Sequence, residues 1–337
     1  MSNQRDINLD ITRIVACLMV ITMHAPIPNE NAIGIFNAAL SYYTAPCIGL
    51  FLMVSGALLL PIKGNGIEFL KKRFAKIAGP TVFWSIFYIA CKYFFDDTSE
   101  GIAKSILSIP FSPQGHGVMW FMYTLAGLYL IAPIISAWLE RTSKKEIEIY
   151  LSIWLLTTCY PLLKLFLTTQ TGETSILYYL SGFAGYFLLG YYLKKYPKAI
   201  SHTVLLPAII IATCAPIVCK LLRFEVNTYE MFWYLSIFVI VMAIGWFYLI
   251  NNKIQIHKRG GTIALVSNLS FGIYLTHIFV MRYVLWELDI IQNINSYIVQ
   301  TIIVIIATFI GSLILCYVIA RLPFAQYIIG YKIKSNK

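Results

Sequence analysis

The residues best able to do chemistry sit inside strongly apolar stretches. Residues 9–25 read LDITRIVACLMVITMHA. Arg13 and His24 are eleven positions apart, close to three full helical turns. On a helix they share one face, about 16 Å apart along the axis. Asp10 lies one turn before Arg13 and can pair with it. Asp10 and Arg13 low and His24 high suit a helix that lines a polar interior. Two plainer readings stay open. Arg13 can snorkel to the inner interface, and His24, just before Pro26, can belong to an outer loop. A lone buried imidazole near pH 7 is most economically read as a group for acid–base work.

A second stripe lies in SNLSFGIYLTHIFVMR, where Ser270, Tyr274 and His277 are spaced i, i+4, i+7. Counted from the inner ends of their helices, His277 and His24 fall at similar depth. No carboxylate at that depth supplies a third ligand, so acid–base work is the economical reading and no metal is expected. In FLMVSGALLL, Ser55 and Gly56 read first as close helix packing, with Ser55 also a candidate ligand-binding hydroxyl. Arg73 and Lys76, followed by Pro80, are either cytoplasmic anchors or a phosphate site, because Arg grips phosphate bidentately. Trp120 suits an aromatic belt, and aromatic rims also stack on sugars. His116 beside it can be a loop residue. The seven cysteines form no CxxC and read as small core hydrophobes.

The elements that must position these residues are membrane helices. The chain has 337 residues, 59% hydrophobic and 12% charged, with mean hydropathy +0.73. Soluble proteins are about 45–50% apolar and about 25% charged. A soluble domain, a disordered chain and a nucleic-acid-binding module are therefore excluded. A spanning helix needs about 20 apolar residues. The pattern predicts ten spans, near 8–27, 38–61, 74–95, 117–138, 148–168, 175–193, 203–222, 231–250, 262–282 and 297–320. The first lacks a small-residue cleavage site and reads as a permanent helix.

The loops alternate in charge. One side carries Arg5, then Lys63, Lys71, Lys72, Arg73 and Lys76, then Arg141, Lys144 and Lys145, then Lys194, Lys195 and Lys198, then Lys253, Lys258 and Arg259, and finally Arg321, Lys332, Lys334 and Lys337. The other side carries Glu30, Asp96, Asp97, Glu100, Glu173, Glu225, Glu230, Glu287 and Asp289. The excess of basic residues on one side predicts that both termini are cytoplasmic, which agrees with an even span count. The net charge of +11 is then a topology signal and calls for no nucleic acid. The fold class predicted is an all-α polytopic membrane protein, one domain over 1–337.

Taken together these residues resemble the acyltransferase-3 family of bacterial integral membrane acyltransferases. The marks are Arg13 and His24 with ten residues between them, behind Leu9-Asp10, FLMVSG at Phe51–Gly56, the basic start of helix three with Arg73 and Pro80, WFMYTLAGLYLIAP at Trp120–Pro133, YFLLGYYL at Tyr186–Leu193 and SFGIYLTH at Ser270–His277. They occur in order and cover nearly the whole chain, most weakly near 200–255. The opening Leu-Asp-Ile-Thr-Arg departs from the family's common Leu-Asp-Gly-Leu-Arg but keeps Asp10 and Arg13.

The resemblance implies transfer of an acyl group, most often acetyl and sometimes succinyl, from cytoplasmic acyl-CoA to a sugar hydroxyl at the outer side. The acceptor would be a cell-surface glycan or lipid-linked saccharide. The location would be the bacterial cytoplasmic membrane, in contact with membrane lipid. Many members carry a C-terminal esterase-like domain, and this chain looks like the stand-alone type. Placed on that reaction, His24 is the general base or a covalent acyl carrier. Arg13 holds a phosphate or polarises the thioester oxygen. Arg73 and Lys76 grip the CoA phosphates, His277 and Tyr274 orient His24 or the acceptor, and Trp120 stacks on the sugar or the pantetheine arm. A glycan transporter or flippase fits ten spans with buried Arg and His equally well on physics alone. A scaffold whose polar stripe only glues helices is the third reading.

Overall fold

The computed structural model describes residues 5–28, 33–95, 101–167, 175, 178–223, 231–253 and 261–333. Of the loop charges above, Glu30, Asp96, Asp97, Glu100, Glu173, Glu225, Glu230, Lys258, Arg259, Lys334 and Lys337 lie outside the described residues. Regular structure among the described residues is helical throughout. By its contacts the chain divides into two compact units, Met1–Leu60 with Ala137–Ala264, and Pro61–Ser136 with Leu265–Lys337.

The first unit is built from α1 (Ile7–His24), α2 (Gly34–Thr44), α3 (Pro46–Leu59), α7 (Lys144–Thr157), the single turn α8 (Tyr160–Leu163), α9 (Ala184–Lys195), α10 (His202–Leu221) and α11 (Ile237–Lys253). Helix α1 starts where Asp6 caps it, accepting from the Asn8 and Leu9 amides at 3.0 and 3.3 Å. It packs against α2, α3 and α11. Helices α3 and α9 approach until their backbones touch. A methyl group on Gly56 would collide with the Phe187 carbonyl, and one on Gly190 with the Met53 carbonyl. Small residues permit that approach in a bilayer, where packing replaces the hydrophobic effect between helices.

The second unit holds α4 (Gly66–Phe95), α5 (Ile102–Ser108), α6 (Trp120–Leu139) behind a 3₁₀ turn at Gly117–Met119, α12 (Gly261–Val280), α13 (Asp289–Gln292), α14 (Tyr297–Ile319) and α15 (Ala325–Ile329). The last turn of α6 and the first turn of α12 fall in the first unit. A π turn, Met281–Leu285, ends α12. Short α15 folds back on α4, where the Trp84 indole donates to the Ile328 carbonyl at 2.9 Å. Helix α14 exposes Ile298, Ile302, Ile306, Ile310, Ile314 and Val318. Such a stripe suits hydrocarbon surroundings, because lipid charges nothing for apolar exposure.

Seven helices among the described residues are long and apolar enough to cross a bilayer: Ile7–His24, Gly34–Leu59, Gly66–Phe95, Gly117–Leu139, His202–Leu221, Gly261–Leu285 and Tyr297–Ile319. The chain is thus a multi-pass membrane protein. Differences from the predicted spans have local causes. The span at 38–61 is two helices meeting at Pro46, whose ring nitrogen has no proton for the helical ladder. The span at 74–95 starts earlier, where the Asn65 side chain accepts from the Ile67 amide at 2.7 Å. Arg73 and Lys76 therefore stand two turns inside α4 and do not open it.

The span at 148–168 is broken. The Thr157 and Thr158 hydroxyls each donate to a carbonyl three residues back at 2.6 Å, and Pro161 follows. The span at 175–193 contains Gly182 at φ +93°, a conformation that ends the preceding turn, so regular helix begins at Ala184. The span at 231–250 yields an apolar helix of 17 residues from Ile237.

Candidate active site

The first unit carries Arg13 and His24. Both are half-buried on α1, and His24 is its last residue. Helix α1 runs unbroken between them, so the shared face read from the sequence is realised on a continuous helix. A polar network holds the foot of α1. The Asp10 carboxylate, 6% exposed, takes two hydrogen bonds from the Arg5 guanidinium, one of them 2.8 Å long. Arg5 also donates to the Ala264 carbonyl at 3.1 Å. One partner of Asp10 is thus Arg5, which precedes the helix and so escapes any helical spacing rule. Lys194 of α9 pairs with Asp6. The Asn8 amide donates to the Asn251 carbonyl at 3.3 Å, and the Asn251 amide donates to Thr12 at 3.4 Å and to the Phe247 carbonyl at 2.8 Å. At the other end of α1 the Tyr234 hydroxyl donates to the Met23 sulfur at 3.3 Å, and the Tyr186 hydroxyl donates to the Tyr234 carbonyl at 2.6 Å.

Ser55 donates to the Phe51 carbonyl one turn back at 2.9 Å, while Gly56 serves the contact with α9. The packing reading of this pair therefore holds for the glycine. Sequence pattern does not single out Arg5, Lys194 and Asn251 as members of this network. Only the doubled asparagine at the end of an apolar helix, Asn251-Asn252, carried a signal.

The second unit carries the remaining candidates. Arg73 is half-buried, its guanidinium 5.4 Å from the Phe69 ring centre, and that ring meets Tyr129 of α6 edge-on. Lys76 is exposed, as are Lys71 and Lys72. The Lys76 carbonyl lies against Gly330, so the chain after α14 ends beside the basic foot of α4. Ser270, Tyr274 and His277 are all buried on α12. The His277 Nδ1 lies 2.5 Å from the Tyr274 carbonyl. A carbonyl only accepts, so Nδ1 carries the proton and Nε2 keeps its lone pair in the neutral ring. Tyr274 donates its hydroxyl to the Val118 carbonyl at 2.5 Å.

His116 caps the 3₁₀ turn through Nδ1, which accepts from the Val118 amide at 3.3 Å. Its ring centre is 5.6 Å from that of Tyr88. Trp120 starts α6, half-buried and edge-on to Phe121. His116, Val118 and Tyr274 thus form one bonded cluster. Among the described residues no group of three His, Cys, Asp or Glu side chains comes together.

One unit brings Arg13 and His24 onto a single helix above a fixed ionic network. The other presents a basic helix foot and a buried Tyr–His pair. Such groups can bind phosphate, polarise a carbonyl and move a proton. No curated protein matches the chain, and no solved structure matches it. The acyltransferase-3 family, described as an acyltransferase domain, matches residues 6–321. Over that length, from the cap of α1 to the end of α14, the chain belongs to the acyltransferase-3 family.

Proposed function

We propose that this membrane acyltransferase moves an acetyl or succinyl group from cytoplasmic acyl-CoA to a sugar hydroxyl of an extracytoplasmic glycan or lipid-linked saccharide. The observation that carries the reading is family membership across residues 6–321 together with Arg13 and His24 on one continuous helix. The acceptor hydroxyl gives its proton to His24 as its oxygen attacks the thioester carbonyl. The carbon–sulfur bond then breaks, and the departing CoA thiolate regains a proton. Arg13 stabilises charge on the carbonyl oxygen or on a phosphate. Arg73 and Lys76 anchor the phosphates of the donor near the foot of α4.

Each unit sorts its ends in a way that supports this orientation. In the first, Arg5, Lys194 and Asn251 meet at the foot of α1. In the second, Lys76 lies beside Gly330, and the Ile62 amide donates to Ser136 at 2.9 Å. Arg5 and Lys194 at the foot of α1, and Lys76 beside Gly330, support a reading of about ten crossings with both termini cytoplasmic. A bacterial cytoplasmic membrane follows from the same reading.

The test is slow thioester hydrolysis by purified protein with acetyl-CoA and succinyl-CoA. His24→Ala should lower it by about 100-fold or more while eluting as a folded protein. If neither thioester binds nor turns over, and lipid-linked glycan still crosses a liposome, the protein is a transporter.

A further inference from the structure

The second unit contains a cavity of about 600 Å³ at the end opposite the basic foot of α4. Lys92 comes to it from the last turn of α4, Ser105 from α5, and Gln114, Gly115 and His116 from the loop before α6. Arg282 comes from the π turn that closes α12. Among the described residues its lining includes no Asp or Glu. The volume lies within the range of about 300–1,000 Å³ typical of small-molecule sites.

Its polar groups are mostly donors. His116 accepts the Val118 amide on Nδ1, so the neutral ring presents an N–H at Nε2. The Gln114 amide nitrogen donates to Ser112 at 2.8 Å, leaving its oxygen as an acceptor. Arg has five N–H donors and Lys three, so both can hold a ligand anion and keep their contacts with the protein. The wall is preformed. Gly115 sits at φ +80°, where an added methyl would stand 2.7 Å from the Ser85 carbonyl and 2.8 Å from Tyr88. Tyr88 is itself fixed by donating to the Leu275 carbonyl at 2.6 Å. A π turn is uncommon and recurs at functional sites; here it carries Arg282.

We propose that this cavity binds an acidic sugar unit of the acceptor, one bearing a carboxylate or phosphate, with Lys92 and Arg282 on the anion and Gln114, Ser105 and His116 on the ring hydroxyls. This rests on the reading that the acceptor is a saccharide. Hydroxyl-rich rings fit the donors and acceptors present. The two cations, brought from separate helices, set the preference for negative charge.

Saturation-transfer NMR on the full chain, in nanodiscs of zwitterionic lipid, tests it with glucuronate, glucose 6-phosphate and glucose. Both acidic sugars should bind, and glucose should bind about tenfold more weakly. About 0.5 M salt should abolish the difference. Lys92→Gln and Arg282→Gln should each erase the preference, and Lys92→Arg should retain it, which separates lost charge from lost fold. Equal binding of all three sugars, or a preference indifferent to Lys92 and Arg282, overturns the proposal. So does displacement of the acidic sugars in a second set of nanodiscs where phosphatidylglycerol replaces part of the zwitterionic lipid, which would make this a lipid headgroup site. Acetyl-CoA hydrolysis is measured on the same wild-type preparation. Hydrolysis without acidic-sugar preference defeats this inference alone; the preference without hydrolysis defeats the donor reading alone.

Discussion

Asp10 is a carboxylate buried near a helix start, and it survives there because Arg5 reaches it with two donors. Removing either partner should destabilise the protein by about 1–3 kcal/mol, nearer the lower figure because Arg5 is half-exposed. Unfolding of Arg5→Gln, Asp10→Asn and the double variant should show strong non-additivity, since the second change removes a partner already lost. Additive losses would mean that the pair is not coupled. Tyr274→Phe should cost about 1 kcal/mol by deleting the donor to the Val118 carbonyl. It should also raise KM for the acceptor more than it lowers kcat, because His116 rests on the same turn. An unchanged KM would leave Tyr274 a purely structural residue. The shared face of Arg13 and His24 was legible because helical periodicity is local. The Asp10–Arg5 pair was not, because Arg5 lies before the cap, where no period applies.

At the scale of elements, α3 and α9 depend on reciprocal glycines. Gly56→Ala or Gly190→Ala forces a methyl against a carbonyl of the facing helix. Each should cost about 1–3 kcal/mol or more by overpacking. Gly127→Ala on α6, where nothing lies nearby, should be neutral or mildly stabilising. Thermal unfolding in detergent checks all three, and equal effects would refute the contact.

Helix α7 opens with a capping box in which Ser143 and Glu146 bond each other's backbone amides. Those bonds hold the Glu146 carboxyl below its ordinary range, the backbone amide of Ser143 being the main cause. A depressed folded value means stabilisation present above the unfolded carboxylate range and lost as pH falls through the folded one. Protection of the amides at residues 144–147, taken relative to their intrinsic exchange, should therefore fall on acidification below that range. Glu146→Gln should flatten the response. The box was readable in Ser-Lys-Lys-Glu, yet the apolar run placed the helix four residues late. Hydropathy marks where lipid begins, whereas capping marks where hydrogen bonding begins.

For the whole molecule, the orientation can be read with single cysteines in a variant lacking the native ones. Lys72→Cys and Lys332→Cys should react with an impermeant reagent only from the cytoplasmic side, and Lys104→Cys only from outside. Labelling of Lys72→Cys and Lys332→Cys from opposite sides would require an odd number of crossings between them. Composition alone determined that the chain lives in a membrane, because apolar content at this level cannot be hidden in a soluble core of this size. Helical periodicity determined that Arg13 and His24 face one way, and that Ser270, Tyr274 and His277 do. Tertiary structure decided what these faces meet. It assigned Asp10 to Arg5, tied Tyr274 to Val118, and brought Lys92 and Arg282 to one cavity across 190 positions of sequence. Those pairings follow from which helices pack together, and packing is set by shape complementarity between distant segments, which leaves no periodic trace in either one.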